Sequence, residues 1–237
     1  DSTDDFSIGS WVKLEAPYEN YGGDLTSLTF DSNGLNTNAQ EGNPAGFDWN
    51  NDGTKAYITG TISGHAHEYA CSTAYDTSSC THTDYLTLTN TGNDPQSLRW
   101  SLDGTKIFIL DVNNVEVDEY GSCTAFDVST ASLDGRYDVS SKEKRLTSVA
   151  FNNDGTRMII AGVGNTNEHH LNEYSLDTAF DLSSGVTHLN TEDLSSLHSY
   201  ITGVTFNHDG TKMYTIDGST DDISQFKLTT PYDVSTY

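Results

Sequence analysis

LTSVAFNNDGTRMIIAG, residues 146–162, decides the fold. Its apolar positions Val149, Phe151, Met158 and Ile160 fall in two short strand-like runs on either side of Asn153-Asp154-Gly155. An Asp-Gly pair between such runs signals a hairpin, because Gly takes positive φ without steric cost and Asp hydrogen-bonds its own backbone. The pattern returns as AGFDWNNDGTKAYITG (45–60), QSLRWSLDGTKIFILD (96–111) and TGVTFNHDGTKMYTID (202–217). The turn aspartates Asp52, Asp103, Asp154 and Asp209 stand 51, 51 and 55 residues apart.

A second element follows each hairpin: YACSTAYDTSS (69–79), YGSCTAFDVST (120–130), YSLDTAFDLSS (174–184) and KLTTPYDV (227–234). KLEAPYEN (13–20) repeats it near the N-terminus. The aromatic reads as a plug between adjacent units, with the Asp and the hydroxyls fastening the turn by local bonds. One unit then holds four strands. Strand a, taken as innermost, lies at about 25–30, 84–89, 137–141 and 186–190; b precedes the Asp-Gly turn and c follows it. Strand d lies near 67–72, 115–120, 171–176 and 223–228. The basic run SKEKRLTS (141–148) is too short for an ordinary helix.

Short strands, Gly and Asn turns and a period near 52 indicate radial repetition. The expected fold is an all-β propeller of about four four-stranded blades with an extra N-terminal strand at 8–14. It forms one domain over 1–237, with repeats at about 21–79, 80–130, 131–184 and 185–237. The N-terminal strand is surplus to four units. It packs as a fifth edge strand, belongs with a larger ring, or is exchanged with a neighbouring molecule. A mildly open four-blade module is the preferred reading.

With 35 acidic against 11 basic residues the net charge is -24. Such a field repels nucleic acid and anionic membrane, and it suits a soluble surface or a basic partner. No run reaches the roughly 20 apolar residues of a membrane-spanning helix. The opening DSTDDFS is unlike a signal peptide; a mature secreted chain, a cytosolic chain and a cut fragment all fit it. Cys71 and Cys80 close a small loop and leave Cys123 free, or Cys71 links to Cys123 between units; spacing does not choose.

The run F/W-N/S-x-D-G-T-K/R with its following aromatic or aliphatic residue is similar to the repeats of bacterial and phage extracellular β-propellers, the YVTN and WD40-like group. LTTPYDVST (228–236) resembles the blade-ending motif of marine-type repeat proteins. The resemblance covers about residues 45–237. It implies a propeller and an extracellular or surface-attached place, and it carries over no catalytic residue.

In a propeller the b–c turns and d–a links share one face, and the c–d and a–b loops share the other. The variable c–d loops hold His65, His67, Glu68, Asp111, Glu116, Asp118, Glu168, His169, His170, Asp217, Asp221 and Asp222. Imidazole with carboxylate suits a transition metal, and carboxylates with backbone oxygens suit calcium. His65/His67 and His169/His170 belong to units facing opposite ways, so they are expected to stay apart. The His65-x-His67-Glu68 run is a local candidate, but the set as a whole reads as solvated loop chemistry. Asp48-Trp49-Asn50-Asn51-Asp52-Gly53 imitates a calcium loop without its closing Glu, and hairpin capping is the expected role.

No G-x-S-x-G elbow, H-E-x-x-H, phosphate-binding glycine loop or dinucleotide fingerprint occurs. The expectation is a non-catalytic extracellular module of a surface structure, fibre or adhesive appendage, with no catalytic, cofactor or metal residue assigned. Its partners are itself or another surface protein, with a glycan as a further candidate. The alternative is a carbohydrate- or protein-binding propeller and, behind it, a polysaccharide-active enzyme.

Overall fold

The computed structural model describes residues 34–89, 94–164, 168–220 and 222–237, with the backbone of two short strands, 7–8 and 12–13. The first-unit strand expected at 25–30 and the turn at 16–18 lie outside the described residues.

Four antiparallel sheets follow one another along the chain, each with sequence neighbours side by side. Blade 1 holds β3 (Pro44–Trp49), β4 (Lys55–Gly60), β5 (His65–Cys71) and β6 (Cys80–Thr87). Blade 2 holds β7 (Pro95–Trp100), β8 (Lys106–Asp111), β9 (Glu116–Ser122) and β10 (Ala131–Asp138). Blade 3 holds β11 (Glu143–Phe151), β12 (Arg157–Gly164), β13 (His169–Leu176) and β14 (Val186–Asp193). Blade 4 holds β15 (Ile201–Phe206), β16 (Lys212–Asp217) and β17 (Asp222–Lys227). The architecture is an all-β, four-bladed β-propeller.

The strand order inside a blade differs from the expected one. Successive blades meet through β3 and β7, β7 and β11, and β11 and β15, so the strand before the Asp-Gly turn is the innermost. The strand expected there is the outermost, and it closes the sheet that precedes it. Its sequence explains why. In VTHLNTED (186–193) partly buried and exposed residues alternate, as on an edge strand with one open face. An inner strand must instead accept a neighbour on both faces, and FDW or SVAF do so. The N-terminal element is two strands, β1 (Ser7–Ile8) and β2 (Val12–Lys13), paired with each other rather than running unbroken over 8–14. β1 lies beside the inner strand β15, not at an outer edge.

The Asp-Gly turns form as their residues require. Asp52, Asp103, Asp154 and Asp209 each accept the N–H and hydroxyl of the Thr two residues on. The turn glycines Gly53, Gly104, Gly155 and Gly210 have φ between 68° and 72°. The plug aromatics Tyr75, Phe126, Phe180 and Tyr232 also sit in the left-handed region, at 55–59°. Each donates its N–H to the carbonyl of its own blade's turn glycine at 2.8–2.9 Å. This geometry folds each ring back onto that glycine, where a Cβ would come within 2.1–2.5 Å of ring carbons. The aromatic therefore seals its own turn, and Phe180 also stands 6.3 Å from Phe108 of the preceding blade.

Further inter-blade contact comes from the next residues. Val128, Leu182 and Val234 are buried in apolar clusters that their own blade shares with the preceding one. Full burial of such a side chain stabilises by about 1.5–3 kcal/mol. Beside each, a buried glutamate of the preceding blade accepts its N–H: Glu68 from Val128, Glu119 from Leu182 and Glu173 from Val234. The same glutamates pair with Lys55, Lys106 and Arg157. Blade 4 carries Gln225 at this position, opposite Tyr214 as Glu68 is opposite Tyr57. Cys71 and Cys80 form a disulfide across the β5–β6 pair, and Cys123 is free and exposed.

Candidate functional site

The ends of the four inner strands enclose an axial cavity of about 360 Å³ on the Asp-Gly turn face. That volume is in the range of small-ligand sites. Each blade contributes one aromatic from the last position of its inner strand: Trp49, Trp100, Phe151 and Phe206. Three plug rings, Tyr75, Phe180 and Tyr232, also line the wall. Trp49 meets Tyr75 edge-on at 5.5 Å, and Phe206 lies 5.4 Å from Tyr232.

One position earlier in the repeat the blades diverge. Asp48, Arg99, Ala150 and Thr205 occupy equivalent places, and all four line the cavity. Asp48 Oδ2 accepts the N–H of Trp100 at 3.0 Å, and Oδ1 accepts that of Trp49 at 2.9 Å. Arg99 donates from Nη1 to the carbonyl of Phe47 and stands 3.8 Å from Asp48 Oδ1. Burial raises the Asp48 carboxyl above the usual range, and Arg99 and the two backbone donors only partly offset it. Asn51 and Asn153 complete the rim, donating to the carbonyls of Leu102 and His208 in the next blade. The cavity thus pairs a ring of aromatic faces with one carboxyl and one guanidinium. The sequence reading missed Asp48 and Arg99 as site residues; the signal for them was the break in repetition.

The c–d loop residues lie on the opposite face, and none lines this cavity. Asp221 lies outside the described residues. Solvated loop chemistry does not describe them, because His67, Glu68, Asp111, Asp118, His170 and Asp217 are buried. Blades 2 and 4 end their second strand with Asp111 and Asp217, whose carboxylates accept the backbone N–H groups of Asn113 and Asn114, and of Ser219 and Thr220. Blades 1 and 3 have Gly60 and Gly162 there, and Glu41 reaches in from the loop before β3 and Glu143 from the start of β11. Their side chains come within 2.5–2.6 Å of where a glycine Cβ would stand. Burial opposes ionisation of Asp217, but the N–H groups of Ser219, Ser199, Tyr200 and Thr220 hold it down to about 2.

His65, His67 and His82 cluster in blade 1, with His67 Nδ1 3.2 Å from His82 Nε2. Burial, then the neighbouring imidazoles, lower His67 to about 4. His169 and His170 make their contacts in blades 3 and 4, so the two histidine pairs do stay apart. Blade 2 gathers Asp111, Glu116 and Asp118, with one oxygen from each within 4.8 Å of the others. Arg136 stands beside this group, 2.9 Å from Asp118 Oδ1 and 3.4 Å from Glu116 Oε1.

No protein-family model matches the chain, and no curated protein matches it. Among solved structures, a candidate 6-phosphogluconolactonase of Bacteroides uniformis aligns with 82% of this chain and 52% of its own, at 8% identity and TM-score 0.58. The counterpart from Bacteroides fragilis aligns over 81% and 51%, at 10% identity and TM-score 0.57. The periplasmic gluconolactonase of Pseudomonas aeruginosa aligns over 77% and 49%, at 12% identity and TM-score 0.55. The chain spans about half the length of these structures, and at such identities the likeness shows the fold alone.

These likenesses overturn two expectations. The expected likeness to YVTN and WD40-like extracellular repeats is corrected to a four-bladed propeller that shares its fold with these structures, because repeat motifs that serve the turn are common to propellers at large. The non-catalytic fibre or adhesion module also gives way. Its ground was the lack of a site in linear sequence, whereas the fold gathers a lined axial cavity and a largely buried acidic group in blade 2. What the geometry establishes is a four-bladed propeller with an aromatic, acid-and-guanidinium cavity on its axis.

Proposed function

We propose that the chain is a carbohydrate-directed hydrolase that opens sugar lactones in the axial cavity. The observation that carries this is the divergence at one repeat position: Asp48 and Arg99 face a cavity otherwise ringed by repeated aromatics. Aromatic faces suit the apolar faces of a sugar ring, and few polar groups then fix its orientation. In the reaction a water oxygen adds to the lactone carbonyl carbon while Asp48 takes the water's proton. Arg99 stabilises the negative charge on the carbonyl oxygen. Collapse breaks the ring C–O bond, the leaving alkoxide recovers the proton from Asp48, and a hydroxy acid departs. A carboxyl raised above its usual range is better matched to this exchange near neutral pH.

A second reading, sugar binding without turnover, is favoured by the same four aromatics. Acid release from glucono-1,5-lactone in a pH-stat, beside binding of the sugar by calorimetry, separates the two. The expected result is hydrolysis above the spontaneous rate, falling by about 10²–10⁴-fold in Asp48→Asn while binding persists. Full turnover in Asp48→Asn removes that residue's role. Binding with no turnover in the unaltered protein leaves only the second reading, and neither activity removes both.

A further inference from the structure

We propose that blade 2 carries a calcium site on the face opposite the axial cavity, formed by Asp111, Glu116 and Asp118. The three come together through the register of one hairpin. Asp111 ends β8 and pairs with Glu116 at the start of β9, and Asp118 follows two positions later on the same side of that strand. Blade 4 has Asp217 opposite Asp222 at the corresponding pair, but Ser224 replaces the third carboxylate. Blades 1 and 3 lack the first, with Gly60 and Gly162 in its place. The complete set therefore belongs to blade 2 among the described residues.

Two further observations point to a ligand. Asp118 is wholly buried, and its Oδ2 has no hydrogen-bond partner, although Arg136 holds its Oδ1. A buried carboxylate oxygen without a partner is costly, and a cation supplies what is missing. The arrangement also bears on the ion. The three oxygens lie within 4.8 Å of one another, close enough for one cation to draw them in, and calcium's flexible oxygen shell accepts such an irregular set more readily than magnesium's near-ideal octahedron. All three donors are hard carboxylate oxygens, with no imidazole or thiolate to favour zinc. Three carboxylates beside the Arg136 guanidinium leave two negative charges, which a divalent ion neutralises.

Bound calcium would tie the β8–β9 loop to the middle of β9 and so stiffen the variable edge of blade 2. This proposal does not depend on the lactonase reading, since the cavity lies on the other face. The test is calorimetric titration of the calcium-free protein with calcium chloride in 0.5 M sodium chloride, with thermal unfolding followed in parallel. High salt suppresses diffuse attraction to a chain of charge -24. The expected result is one site per chain, a rise of several degrees in Tm, and at least tenfold weaker binding in Asp118→Asn. Glu116→Gln, partly exposed and less disturbing to the fold, gives the same loss should Asp118→Asn fail to fold. No saturable site, or a site of unchanged affinity in the folded variant, overturns the proposal.

Discussion

The two faces of the propeller solve the same problem, fixing a tight connection in each blade, by different means. On the turn face every blade uses the same residues at the same offsets: an Asp that bonds a Thr, a glycine at positive φ and a ring laid on it. On the loop face every blade buries one carboxylate near the end of its second strand, but from two different places in the sequence. Asp111 and Asp217 stand on the strand; Glu41 and Glu143 reach across a glycine. A solution made of neighbouring residues repeats visibly. A solution that needs only a carboxylate at one point in space can come from either side, and its sequence trace scatters.

The glutamate clasps tie successive blades together, so the largest loss of stability is expected there. Glu119→Ala leaves Lys106 and the Leu182 N–H without their buried partner and should cost about 3 kcal/mol in urea unfolding. Gln225→Ala, at the same repeat position but exposed and uncharged, should change stability by less than about 0.5 kcal/mol. Equal losses would show that the clasp is not what the glutamate contributes.

A smaller effect is expected on the turn face. Gly155→Ala puts a side chain at φ 72° and against Phe180, and should cost about 2 kcal/mol by thermal unfolding. On the loop face, Asp217→Asn should cost about 1–2 kcal/mol at pH 7, through lost charge-assisted bonds. The sign follows from a carboxyl held down to about 2 in the folded chain, against about 3.9 unfolded. The advantage of the unaltered protein is full above about pH 4 and shrinks as the pH falls towards 2. A gap that stays constant over that range would exclude the carboxylate's ionisation as its source. Asn153→Ala removes an exposed link from one turn to the next and should cost only about 0.5 kcal/mol in thermal unfolding.

Much of the fold was legible because it rests on local bonds. Within each blade the Asp-Gly turn, its Thr partner and the left-handed aromatic lie within about 30 residues of one another, and each formed a recognisable string. Strand order was harder to read. β6 and β14 have strand sequences, but only the packing of β3, β7, β11 and β15 on one another shows which strand is inside. Asp48 and Arg99 were hidden for a related reason: they stand in neighbouring blades, 51 residues apart, and only the closing together of two inner strands brings them to 3.8 Å.

By itself the sequence determined the repeat, the hairpins and the number of blades, since each depends on residues that are neighbours along the chain. The tertiary structure alone decided which strand faces the axis, which cysteines pair, where the cavity opens and which carboxylates lose their water. Those outcomes depend on distances between residues far apart in the chain, and these are set by how whole sheets pack.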